Sequence, residues 1–208
     1  MKSVFSTLAS DERGGPAAEF ALVLPLLIIF LFGIIDVGRL MWTWNRAEKA
    51  TQMGVRYAVV ADMVPAGLAT YSFSVSGGLV QGAAIPESSF GGATCVSPST
   101  GVVNCTCNTG ATCPPLGVAN VGAFQRIVQR MDAFLPELTD NRVTVEYGYS
   151  GLGYAGDPFG PDVAPLVTVR IRNLTFTPLL LQLFGGSITL PDFRASLTME
   201  DGAGTVSN

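Results

Sequence analysis

The chain contains no histidine. The commonest general base is therefore missing. No G-x-S-x-G elbow, phosphate-cradling glycine loop or cleft-forming carboxylate pair takes its place. The sequence reads as non-enzymatic, with no cofactor. Charge is scarce as well: 13% of the residues are charged, the net charge is −4, and no basic run occurs. That balance excludes nucleic acid as an expected partner. Cysteine is limited to Cys95, Cys105, Cys107 and Cys113. Their C-x9-C-x-C-x5-C spacing, with no histidine, fits zinc poorly, and no C-x-x-C redox motif is present. Structural disulfides are expected, and no metal. A 105–107 bridge would be strained, which leaves 95–105 with 107–113, or 95–107 with 105–113. Either pairing would staple a loop over 95–113 that has little apolar material of its own.

Against these shortages stands one long apolar run, GPAAEFALVLPLLIIFLFGIIDVGR, at residues 15–39. Its core from Phe20 to Ile35 makes about 24 Å of helix, short of a bilayer core of about 30 Å. Extension from Ala17 to Val37 gives about 32 Å, enough to span with little tilt. Glu19 and Asp36 then fall near opposite interfaces. An acid in a spanning helix costs roughly 2.5–3.5 kcal/mol at the bilayer centre and less near the edge, so Glu19 calls for a reason. A cleaved signal peptide would have a shorter apolar stretch and a small-residue cleavage site. Here Asp36-Val37-Gly38-Arg39 follows, and the segment reads as a retained anchor.

The helical pattern continues past the span. Leu40, Trp44, Ala47, Thr51, Val55 and Ala58 recur at spacings of three and four and describe one apolar stripe. The spacing predicts one helix from Pro16 to Val64, ended by Pro65 and Gly67, whose outer half packs on a folded domain, on neighbouring subunits or on both. Trp42 and Trp44 are placed for a membrane interface, and Pro25 interrupts the ladder inside the span. The flank before the run carries Lys2 and Arg13; the flank after it carries Arg39, Arg46, Lys49 and Arg56. Counting basic residues alone would put the second flank inside. The cysteines favour the opposite, an exported domain in an oxidising compartment. The expected topology is N-terminus in and C-terminal domain out.

Three regions follow: a leader-like cytoplasmic tail at 1–14, a transmembrane and extended helix at 15–64, and an extracytoplasmic α+β domain at 65–208. Residues 66–116 are rich in Gly, Ser, Thr and Pro and read as loops with short strands such as Tyr71-Phe73-Val75. Val118, Val121, Phe124, Ile127, Val128, Met131, Phe134 and Leu135 mark one face of an amphipathic helix ending before Pro136. Period-two alternation predicts strands at Val143–Tyr149, Val167–Ile171 and Phe193–Met199, in an antiparallel sheet packed by a helix. Thr177-Pro178 opens a short apolar helix from Leu179 to Phe184, closed by Gly185-Gly186, expected as core or a domain edge rather than a membrane-surface anchor. Asp157 and Asp162 read as turn residues rather than calcium ligands.

The stretch RGGPAAEFALVLPLLIIFLFGIIDVGRL, together with KATQMGVRYAV, resembles the N-terminal segment of TadE-like proteins. The features that carry the likeness are the arginine-glycine entry, Glu19-Phe20, the Leu-Pro-Leu at 24–26, and Gly33 through Arg39. The resemblance implies a pseudopilin-like component of a tight-adherence (Flp, type IVc) pilus system in the bacterial inner membrane. It also implies cleavage by a prepilin peptidase between Gly14 and Gly15. Glu19 would then lie one turn from a new amine and could offset it, within a helix or between subunits. Glu19 and Phe20 become the subunit-assembly residues. The implied partners are membrane lipid, other pilin or pseudopilin subunits and the assembly platform. The alternative is a single-pass anchored binding module unrelated to a filament, whose Cys loop or sheet recognises a ligand.

Overall fold

The computed structural model describes residues 15–158, 160–182 and 185–199. Gly14 and the tail before it lie outside the described residues, as do Leu183 and Phe184. The chain is α+β: a long apolar N-terminal helix precedes a small domain with a five-stranded antiparallel sheet. Contacts divide it into two units. The smaller comprises residues up to Trp42 with Phe176–Ile188; the larger comprises Thr43–Thr175 and the residues from Thr189 on.

Helix α1 (Gly15–Ala58) is 44 residues long and runs unbroken through Pro25. At 1.5 Å per residue this is about 66 Å. It stops six residues short of the expected Val64. Val59 still bonds back to the Val55 carbonyl, but Val60 closes a tighter turn on Tyr57. The Val64 amide donates instead to the hydroxyl of Tyr147 at 3.0 Å. Two β-branched residues and a tertiary acceptor thus replace the helical ladder before Pro65 is reached. Pro65 in fact caps a separate short helix, α2 (Ala66–Thr70).

In the larger unit the five-stranded sheet runs β2 (Val102–Cys107), β1 (Gly92–Ser99), β3 (Val143–Gly148), β4 (Leu166–Ile171), β7 (Phe193–Thr198). Strands β3 (Val143–Gly148), β4 (Leu166–Ile171) and β7 (Phe193–Thr198) match the alternating segments. Val143, Val145 and Tyr147 share a buried face with Ile171, Val169 and Val167, which lie opposite them in that order across the antiparallel pair. The alternation fades on β7, the edge strand: Phe193 is buried but Leu197 is 40% exposed. Two-residue ladders β5 (Thr175–Phe176) and β6 (Ile188–Thr189) form a separate small sheet.

Strands β1 (Gly92–Ser99) and β2 (Val102–Cys107) lie in the stretch expected as loops with short strands, at positions not singled out there. They form an antiparallel hairpin turning at Gly101, whose φ of 81° suits glycine. Pro98, which has no amide to donate, falls where the pairing slips between Val96 and Ser99. The expected strand at Tyr71–Val75 is a turn instead. Phe73 is buried there, its amide held by the Asp162 carboxylate at 2.6 Å.

Helix α3 (Val121–Asp132) is shorter than the stripe suggested. The Asn120 side chain accepts from the Ala123 amide and fixes its start, leaving Val118 before the helix and 86% exposed. Ala123, Phe124, Ile127, Val128 and Met131 are buried. The outer part of α1 contributes Ala47, Ala50, Thr51, Val55 and Ala58 to the same core. A Cβ on Gly54 would come within 2.6 Å of Met131 Cγ and 3.3 Å of Val169 Cγ1, so α1, α3 and β4 meet there at glycine distance. Trp44, expected at a membrane interface, is packed edge-on against Phe193 at 4.9 Å and donates to Glu48. Trp42 is 67% exposed.

Candidate functional site

The smaller unit begins with a helix surface that has almost no cover. Phe20, Leu22, Leu26 and Phe30 are 64–76% exposed, and the whole run from Gly15 to Ile35 presents its apolar side chains outward. In water such a surface would be costly at roughly 25 cal/mol per Å². Its length suits a bilayer, and an 18-residue window of α1 reaches a mean hydropathy of 2.8. It is the single candidate span among the described residues. Glu19 lies on this surface one turn into α1, exposed, beside the exposed Phe20. It forms no hydrogen bond or ion pair with another described residue. Gly15 is the first residue of α1, and Gly14, its partner in the expected processing site, lies outside the described residues.

At the other end of the run stands Asp36, 8% exposed. Its carboxylate accepts from the Leu179 amide at 2.8 Å and the Leu180 amide at 3.3 Å, and pairs with Arg39 at 3.2 Å. Leu179 and Leu180 open the short helix α4 (Leu179–Gln182). The first amides of a helix have no internal partner, and Pro178, which precedes them, offers no side-chain acceptor. Asp36 therefore caps a helix 143 residues away in sequence. Arg39 completes the arrangement, its guanidinium carbon lying 5.5 Å from the Phe176 ring centroid. Sequence reasoning placed Asp36 near an interface and missed this role. The signal was present as an acid closing the apolar run with an arginine three residues on.

α4 narrows another expectation. None of its residues is buried, so of the two expected places, core or a domain edge, it is not core. Leu179 is 37% exposed, Leu181 41% and Ile188 43%.

The four cysteines pair as Cys95–Cys105 and Cys107–Cys113. The first joins residues directly opposite each other across the β1–β2 hairpin. The second closes the segment after β2, with Cα atoms 5.9 Å apart. The sequence left this pairing open; the hairpin register decides it. The stapled element is thus a strand pair and a short loop, and Cys95 is fully buried.

Asp162, 4% exposed, accepts from the amides of Phe73 and Asp157. It ties two loops together, in line with its expected turn role. Tyr147 is fully enclosed, and burial pushes its phenol far above the ordinary value, with the Val64 amide pulling the other way.

Neither a curated protein nor a solved structure matches the chain. A family model described as TadE-like protein matches residues 14–56, the stretch that carries Glu19, Asp36 and nearly all of α1. The anchor and outer helix of this chain form a TadE-like segment.

Proposed function

We propose that this chain is a membrane-anchored, non-catalytic assembly component of a tight-adherence (Flp, type IVc) pilus, a pseudopilin-like subunit. Its helix α1 joins other pilin or pseudopilin subunits and the assembly platform, and the α+β domain rides outside the membrane. The observation that carries the reading is a coincidence of two boundaries. The TadE-like match falls on α1, whose apolar side chains up to Ile35 are uncovered, with one acid near its start. A surface of that kind is made for lipid first and for other helices second.

Glu19 is the residue assigned to assembly. If a prepilin peptidase cuts between Gly14 and Gly15, the new amine lies one turn from Glu19, and the two charges neutralise each other within a helix or across a subunit boundary. The disulfides favour an exported domain. The basic residues after the span argue for the reverse orientation less than their number suggests. Arg46 is committed within the larger unit, donating to the Phe134 carbonyl at 2.9 Å and pairing with Glu137. The reading places the N-terminus in the cytoplasm and the anchor in a bacterial inner membrane.

A Glu19→Ala strain tests it. Pili should be lost while the protein stays inserted at its normal level. Normal pili in that strain would remove the mechanism's central residue.

A further inference from the structure

The geometry points to a second lipid contact: Leu179, Leu181 and Ile188 lie in the headgroup–acyl boundary of the bilayer, so that α4 is an interfacial foot beside the spanning helix. This rests on the reading of α1 as a membrane anchor and goes beyond it.

Three observations fix the depth of the foot. Asp36 directly follows Ile35, the last residue of the apolar core, so its Cα lies only about 1.5 Å further along the axis. The amides of Leu179 and Leu180 lie within 3.3 Å of the Asp36 carboxylate, which holds the start of α4 at that same level. Arg39 and Phe176 meet one turn further along. The depth holds whichever end of α1 faces the cytoplasm. It also belongs to one unit, since α1 up to Trp42 and Phe176–Ile188 cluster together.

The chemistry of the foot fits that zone. Helix-start amides at a hydrocarbon edge need an acceptor, because little water reaches them. Asp36 supplies it, and Arg39 balances its charge. Leucine and isoleucine side chains that the chain covers only in part bury their remaining surface in lipid, as the apolar face of an interfacial helix does. Leu179, Leu181 and Ile188 stay 37–43% exposed in the chain alone, which leaves that surface for acyl chains. A second copy of the chain is the competing occupant.

Site-directed spin labelling of the full chain in phosphatidylcholine–phosphatidylglycerol vesicles, without reductant, tests the assignment. All four native cysteines are in disulfides. Labels introduced as Leu181→Cys and, separately, Ile188→Cys therefore report alone. Leu27→Cys gives the mid-span reference and Val75→Cys, at a position 84% exposed, the aqueous one. Expected at both 181 and 188 is more frequent collision with oxygen than with a water-soluble nickel chelate, shallower than at 27 and opposite to 75. Collision frequencies at both positions equal to those at 75 would overturn the foot while leaving the anchor intact. Exclusion of both reagents, with spin–spin broadening, would overturn it in favour of a second copy. An aqueous result at 27 would overturn the anchor reading itself.

Discussion

The two units use the same side chains in opposite ways. In the smaller, Phe20, Leu22 and Phe30 are 64–76% exposed; in the larger, Phe73, Phe90 and Phe124 are at most 1% exposed. Both patterns satisfy the hydrophobic effect, but in different media. The larger unit buries its apolar groups against each other, as water demands. The smaller leaves them to lipid, which is as apolar as they are. The treatment of backbone amides differs in parallel. In the larger unit, Val64 and Phe73 find side-chain acceptors inside a packed core. In the smaller, Leu179 and Leu180 find one at the end of the apolar run.

This contrast predicts that perturbing the water-side core should leave the anchor inserted. Replacing Cys95 and Cys105 together with alanine should have the largest effect, about 2–4 kcal/mol on the larger unit, since the bridge locks a hairpin with little core of its own. The same change at Cys107 and Cys113 closes a shorter loop and should cost less. Thermal melts under non-reducing conditions measure both, and protease protection of the span should be unaffected. Insertion lost along with the fold would break the division into two media.

Gly54→Ala comes next, at about 1–3 kcal/mol, because its Cβ would meet Met131 at 2.6 Å and force the core apart. A variant as stable as the parent would mean that the flexible Met131 side chain gives way to the new methyl at no net cost.

Tyr147→Phe should cost about 1–2 kcal/mol by leaving the Val64 amide without its acceptor. It carries a pH signature too. Burial raises the folded-state phenol. Its contribution is therefore unchanged at neutral pH and falls only above about 10, where the unfolded chain loses the proton and the folded one keeps it. Denaturant melts across that window should show a steeper alkaline loss for the parent than for the variant. Equal slopes would place Tyr147 in contact with water.

Much of this was legible in sequence because periodicity reports burial in one medium at a time. The span, the α1 stripe and strands β3 and β4 all follow single faces, from Ala47 to Ala58 and from Val143 to Ile171. The hairpin β1–β2 escaped because its strands carry Ser, Thr, Cys and Pro98 rather than an apolar alternation. The clue lay in Thr100-Gly101 between segments with cysteines at 95 and 105; a turn there alone puts Cys95 opposite Thr106, and the slip between Val96 and Ser99 moves it onto Cys105. The packing of Trp44 against Phe193 was not legible, because composition does not name the ring an indole meets. The Asp36-Arg39 pair marked the end of the run in the sequence, but not the helix it caps, whose amides stand 143 positions away. Glu19 stood out on chemistry alone, and the fold adds its exposure and its place one turn from Gly15.

The central claim is that the apolar part of α1 is an assembly element and not merely an anchor. The most direct measurement replaces residues 15–35 with an unrelated spanning helix of equal length, keeping Asp36 onward, and counts pili in the native host. The account predicts an inserted, folded protein and no pili. Pili at the parental level would contradict it and leave the outer domain as the working part.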